Sequence, residues 1–303
     1  MTVSRIQTAV DGPVFSRLAL GLWRLTGWEL SDAQLRDLVH ACLDLGITTF
    51  DHADIYGDYA CEDLFGRALA LEPTLRDKMQ LVTKCGIKLV STHRPAHTVK
   101  HYDTSREHII ASAETSLKTL RTDHIDLLLI HRPDPLLDPD EVAEAFAELR
   151  QAGKVLHFGV SNFTPSQFEL LASRLDFPLV TNQVEISVLH MDALHDGTLD
   201  QCLRLGIAPM AWSPLGGGRL FRGEDEQAIR LGQALSAVGE ALGGASPAQV
   251  ALAWLLQHPA RIVPVLGTGK VDRIRKAVHA ENLQLTRQQW FAIWRASKGE
   301  DVP

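Results

Sequence analysis

Asp51 and Tyr56 in TTFDHADIYG, Lys84 in LVTKCG and His131 in IDLLLIHRP stand at or just past the carboxyl ends of short apolar runs. Ionised side chains at the mouths of buried strands cost several kcal/mol unless they are paired. Such residue types at matching places on neighbouring runs point to chemistry. Tyrosine, with a free pKa of about 10, is a poor acid at neutral pH. A nearby ammonium stabilises phenolate and lowers that pKa, and Lys84 is placed to supply it. Asp51 paired with Lys84 keeps the lysine charged and in place. His131 suits either a hydrogen bond to a carbonyl oxygen or a proton relay to Tyr56. The four together make a proton donor aimed at an oxygen that becomes alkoxide-like, the need of hydride addition to a carbonyl.

No side chain supplies a hydride, so a cofactor must. The other run ends offer a cradle for one. Asn162 and Gln183 carry amides suited to a nicotinamide carboxamide, and Trp212 offers a flat face for the ring. The loop Ser213-Pro214-Leu215-Gly216-Gly217-Gly218 lets backbone come close to phosphate. Gly267-Thr268-Gly269-Lys270 opens a helix whose N-terminus suits an anion. Lys270 and Arg273 add positive charge there, which favours the extra phosphate of NADP over NAD.

Something must hold these positions around one mouth. Eight apolar runs, starting near Arg17, Thr48, Met79, Ile125, Val155, Leu179, Ala208 and Arg261, alternate with helical stripes such as Leu35, Leu38, Val39, Cys42 and Leu43. Ser31/Gln34, Thr104/Glu107, Thr164/Gln167 and Ser246/Gln249 read as capping boxes, with Pro165 and Pro247 at first helical positions. Gly46, Gly153 and Gly206 mark helix ends. Eight strand–helix units predict a parallel (β/α)8 TIM barrel, an α/β fold whose site lies at the strands' carboxyl ends. GLWRLTG after the first strand lacks the G-x-G-x-x-G of a Rossmann turn. IQTAV-DGP-FSRLA predicts an N-terminal β-hairpin plugging the barrel bottom, and TRQQWFAIW an extra C-terminal helix. No linker interrupts the pattern, which predicts one domain over 1–303.

Composition agrees. The 303 residues are 45% hydrophobic and carry a net charge of −7 without a Lys/Arg block, which disfavours a nucleic-acid partner. No apolar run reaches a membrane span and no secretory signal is visible. Cys42, Cys61, Cys85 and Cys202 lack CxxC spacing and read as reduced thiols of a cytoplasmic protein.

In order and spacing, DHADIYG with Asp51 and Tyr56, Lys84, His131, Ser161-Asn162-Phe163, Gln183 and Trp212-Ser213-Pro214-Leu215-Gly216 resemble the motifs of the aldo-keto reductase family, its bacterial general oxidoreductase branch above all. The likeness runs from about Leu18 to the final helix. It implies NADPH-dependent reduction of aldehydes and ketones. Tyr56 is then the general acid, and Asp51, Lys84 and His131 complete a tetrad. Ser161, Asn162 and Gln183 are expected to hold the carboxamide, Trp212 the nicotinamide ring, 213–217 the pyrophosphate and 267–273 the adenosine phosphate; Trp23, at the end of the first strand, joins this cofactor set. The chain departs from the family at Lys276-Ala277, where many members carry a Glu/Gln-Asn pair.

Two other functions fit parts of the pattern. A metal-dependent barrel hydrolase needs more His and carboxylate ligands at strand ends than this chain offers, so no metal is expected. A cofactor-binding regulatory subunit, like the potassium-channel β subunits related to this family, keeps the same tetrad. His93, His97 and His101 mimic metal spacing, but Pro95 breaks that helix and a solvated loop is expected. Substrate selection is expected from 23–28, 87–103 and 186–196, where Trp23, Trp28, Tyr59 and Leu189 predict apolar walls and a small carbonyl substrate. A monomer or weak oligomer is expected.

Overall fold

A computed structural model describes residues 2–223 and 225–303. Eight parallel strands close into a barrel in chain order: β1 (Ala19–Gly21), β2 (Thr49–Asp51), β3 (Gln80–Cys85), β4 (Ile125–Ile130), β5 (Val155–Ser161), β6 (Leu179–Glu185), β7 (Met210–Trp212) and β8 (Val263–Leu266). The register sets Gly21, Asp51 and Val82 side by side, and Lys84 beside Leu129. Because side chains alternate across a strand, Val82 and Lys84 share a face, as do Leu127, Leu129 and His131.

The bottom is closed as expected. Strands Arg5–Gln7 and Val14–Ser16 form the antiparallel hairpin. Its Phe15 is fully buried in one cluster with Val82, Leu127, Leu129, Val160 and Met210. Ser16 is tied to Thr48 and Thr49 at the start of β2, and Arg17 donates to the carbonyls of Arg261 and Ile262 just before β8. The hairpin therefore grips the amino ends of the strands and leaves the carboxyl ends open.

Three of the expected capping boxes form, at Ser31/Gln34, Thr164/Gln167 and Ser246/Gln249. The fourth is corrected by one residue. Ser105, not Thr104, caps the helix Arg106–Leu120, because Thr104 spends its hydroxyl on Asp134 at 3.0 Å. Gly46, Gly153 and Gly206 take left-handed φ of 78°, 67° and 67°, which ends their helices without a Cβ penalty.

One further layer was not foreseen. After β7 the helix Glu226–Ala241 precedes the barrel helix Pro247–Leu256. Leu231 and Leu235 of that added helix cluster with Ile293 and Trp294 of the terminal helix Arg287–Lys298. Trp254 and Trp290 lock this corner: their rings stack at 4.5 Å, and each indole N–H donates to the other's carbonyl at 3.1 Å.

Candidate active site

Tyr56 is held by a run of unusual backbone. Gly57, Asp58 and Tyr59 have φ of 59°, 55° and 70°, so the chain doubles back just after Tyr56. A Cβ on Gly57 would lie 2.5 Å from Thr26 and 2.6 Å from the Cys61 sulfur, so the turn needs glycine twice over, for conformation and for space. The Tyr59 hydroxyl accepts from the Leu89 N–H at 2.8 Å, and Arg94 lies over the Tyr59 ring at 4.7 Å. The 87–103 segment is thereby fastened beside the turn.

Lys84 is the hub. Its ammonium donates to Asp51 Oδ1 at 2.8 Å, to the His52 carbonyl at 2.6 Å and to the Tyr56 hydroxyl at 3.1 Å. Three donors meet three acceptors, so the charge is fully partnered although the lysine is only 1% exposed. Burial works against that charge, but Asp51 and Tyr56 outweigh it and raise the lysine above its ordinary value. The structure brings all four expected residues together, with the His131 ring edge-on to Tyr56 at 5.9 Å.

One electrostatic expectation changes. Lys84 does pull the Tyr56 hydroxyl down, yet burial pushes it up more strongly, with Asp51 adding to the rise, so the net direction is upward. Lysine contact alone therefore does not make this tyrosine acidic. His131 is driven well below its ordinary value, by burial first and then by Lys84, Arg132 and Lys100. It is neutral at physiological pH, and its Nδ1 is buried without a partner among the described residues. A neutral imidazole suits hydrogen bonding to a substrate oxygen rather than strong acid catalysis.

The presumed carboxamide holders form a chain of their own. Ser161 Oγ donates to the Gln183 carbonyl at 2.8 Å and accepts from Asn162 Nδ2 at 2.7 Å. The Trp212 indole donates to Asn162 Oδ1 at 3.0 Å, which sets the ring's orientation. Asn162 takes a left-handed φ of 61° to turn its amide across the mouth. Gln183 does something the sequence does not show: its amide nitrogen donates to Asp51 Oδ1 at 2.8 Å, across 132 positions of chain. It joins the proton side of the mouth to the cradle side.

The remaining cradle is open. Ser213, Gly216, Gly217 and Gly218 all have positive φ, so the loop after β7 presents backbone rather than side chains. Trp23 is 58% exposed at the rim with Arg24 at 5.4 Å, and Arg24 reaches the Gly217 carbonyl at 3.2 Å. Gly267, Thr268 and Gly269 lead into the helix Val271–Val278, whose N-cap Lys270 gives no side-chain cap. Lys270 and Arg273 are exposed and have no acidic partner among the described residues. Uncapped amides beside two unpaired cations fit a phosphate. The donor set thus fits a nicotinamide dinucleotide.

Other candidates resolve otherwise. Cys85 clusters with Ile109 and Ala113 of the helix layer, and burial pushes its thiol well up, which keeps it protonated. His97 bonds the Leu89 carbonyl at 3.0 Å and meets His101 edge-on at 5.8 Å. No group of three or more metal-binding side chains is arranged to hold an ion among the described residues. His52, which the sequence reading passed over, is fully buried against Phe65 at 4.6 Å and pushed down to about 3 by burial and Lys84.

Residues 17–298 match the model of the aldo/keto reductase family. The chain belongs to that family. Over 301 residues it is 56% identical to oxidoreductase YdhF of Escherichia coli, covering 99% of this chain and all of that one. It is 46% identical to a 6-dehydroglucose reductase of Agrobacterium fabrum, covering 95% of this chain and 96% of the relative. Among solved structures, the thermostable aldo-keto reductase Tm1743 superposes with a TM-score of 0.81 at 28% identity, covering 97% of this chain and 99% of that one. As an aldo/keto reductase the chain is an oxidoreductase, of a family that reduces small carbonyl compounds with a nicotinamide cofactor. Among the described residues, no helix is long and apolar enough to cross a membrane.

Proposed function

We propose that the protein reduces aldehydes and ketones to alcohols with NADPH and that Tyr56 is the general acid. The observation that carries this reading is the Lys84 hub: one buried ammonium touches both Asp51 and the Tyr56 hydroxyl. When bound, a reduced nicotinamide would supply the hydride that the carbonyl carbon needs. Tyr56 supplies the proton to the carbonyl oxygen. As that proton leaves, Lys84 stands 3.1 Å from the developing phenolate and stabilises it, and Asp51 holds Lys84 in position. Neutral His131 orients the substrate oxygen toward Tyr56. Asn162, Ser161 and Gln183 are assigned to the carboxamide, Trp212 and Trp23 to the ring side, 213–217 to the pyrophosphate. Thr268, Lys270 and Arg273 are assigned to the phosphate that distinguishes NADPH.

Two relatives, at 46% and 41% identity, are named 6-dehydroglucose reductases, which supports a polar carbonyl compound as substrate here. We read residues 1–303 as one domain, monomeric or weakly associated, working in the cytoplasm. The test is direct. Purified protein titrated with NADPH should lose tryptophan fluorescence, and it should oxidise NADPH when an activated aldehyde is added. Tyr56→Phe should keep the quench and lose roughly 10²- to 10⁴-fold in kcat, the range for a general acid. Equal turnover by Tyr56→Phe and wild type would remove Tyr56 from this role.

A further inference from the structure

Arg132 follows His131 at the end of β4 and has no role in the scheme above. Its guanidinium lies over the Trp212 ring, 5.6 Å from the centroid. The groups its charge faces are Tyr102, Tyr56 and Glu185, which come from three different parts of the mouth. The only hydrogen bond it makes among the described residues is from Nη1 to the His131 carbonyl, at 3.1 Å. No carboxylate comes within ion-pair distance of it among the described residues, although arginines elsewhere find one: Arg76 reaches Asp126 at 2.7 Å and Arg67 reaches Asp32 at 3.2 Å. A guanidinium has five donors in a rigid fork. Most of this fork is unspent, in a half-buried position between the tyrosine that faces the reacting oxygen and the tryptophan that walls the pocket. A half-buried cation with free donors is a poor neighbour for an alkyl chain and a good one for an oxygen.

We propose that Arg132 is a specificity-determining residue that binds an acceptor oxygen on the carbon next to the reacting carbonyl, whether hydroxyl or carboxylate. The inference rests on the reductase reading and names the substrate class for it: small α-oxygenated aldehydes and ketones. It adds one polar anchor to the apolar walls expected from Trp23, Trp28, Tyr59 and Leu189. Trp212 holds the guanidinium by its face, and the His131 carbonyl fixes one end of the fork, so the free N–H groups are presented without further ordering.

The experiment compares propanal, glyceraldehyde and glyoxylate under NADPH saturation, in wild type, Arg132→Met and Arg132→Lys. Methionine keeps the stem and removes the fork. For Arg132→Met, the kcat/KM ratio of glyceraldehyde or glyoxylate over propanal should fall by roughly tenfold or more, mostly through KM, as expected for a lost charge-assisted hydrogen bond. Arg132→Lys should restore part of the glyoxylate ratio. A fall for both oxygenated substrates identifies the shared oxygen, and a fall for glyoxylate alone identifies the carboxylate; either supports the inference. An unchanged ratio, or an equal loss on all three substrates, overturns it. Propanal turnover that disappears in Tyr56→Phe secures the reductase reading independently, so the ratio alone judges Arg132. NADPH-induced tryptophan quenching in each variant shows that the barrel has folded.

Discussion

Lys84 and Lys270 both stand at strand ends on one barrel mouth, and the fold treats them in opposite ways. Lys84 is 1% exposed, with every ammonium donor already placed on Asp51, His52 or Tyr56. Lys270, with Arg273 nearby, lies in solvent with no acidic partner among the described residues, at a helix start to which it gives no side-chain cap. The first charge is built into the folded state and costs nothing to arrange when substrate arrives. On the proposed reading, an anion completes the second. The proton side is then preorganised, whereas the cofactor side gains its order from what binds there.

Removing the hub tests the rigid side most severely. Lys84→Met should lower kcat by roughly 10³-fold and destabilise the fold by about 3–5 kcal/mol, because Asp51 is left as an unpaired buried charge. Adding Asp51→Asn should recover much of the stability and none of the turnover. Urea denaturation beside steady-state kinetics separates the two; recovery of turnover would show that Lys84 serves only to neutralise Asp51.

Gly57→Ala strikes the same side through the backbone. With φ at 59° and a Cβ 2.5 Å from Thr26, the substitution should cost about 1–3 kcal/mol and displace Tyr56. Thermal melts should show the loss, and kcat should fall while NADPH quenching remains. A melt equal to wild type would mean that the turn is not strained.

The open side should respond to charge and salt instead. Arg273→Ala should weaken NADPH binding by roughly tenfold or more, the size of a lost charge-assisted hydrogen bond, and change NADH affinity far less. Rising salt should narrow the difference between the two cofactors. Equal losses for NADPH and NADH would take the phosphate away from Arg273.

The smallest effect expected is an absence of one. As the proposed acid Tyr56 must be protonated, and burial raises its pKa, so the acid form persists throughout the neutral range. His131 is held well below its ordinary value, so it stays neutral over the same range. The reductive kcat should be flat from about pH 6 to 9 and fall only as pH climbs toward the tyrosine pKa. An inflection near neutrality would mean that His131, not Tyr56, governs the proton.

Much of this was readable beforehand because it is local. Alternating apolar runs gave the barrel strands, and Ser31/Gln34 or Thr164-Pro165 announced helix starts within four residues. Asp51, Tyr56, Lys84 and His131 were visible as polar residues at strand mouths, and order along the barrel made them neighbours. The added helix Glu226–Ala241 escaped because its apolar face packs on the terminal helix, a partner some 60 residues on, and periodicity names a face without naming what covers it.

Residue types and spacing thus pointed to the family, the barrel and the four residues proposed as the tetrad, since each depends on patterns a few residues long. Three properties belonged to the tertiary structure alone. Gln183 donates to Asp51 because closing the barrel brings β6 across the mouth from β2. Tyr56 is raised rather than lowered because burial, which no linear pattern measures, outweighs the lysine beside it. Arg132 looked like a flanking residue in HRPDP, and only the placement of Trp212, with no carboxylate within ion-pair distance among the described residues, leaves most of its fork unspent. Desolvation and long-range pairing depend on what surrounds a residue in space, and that exists only once the barrel has closed.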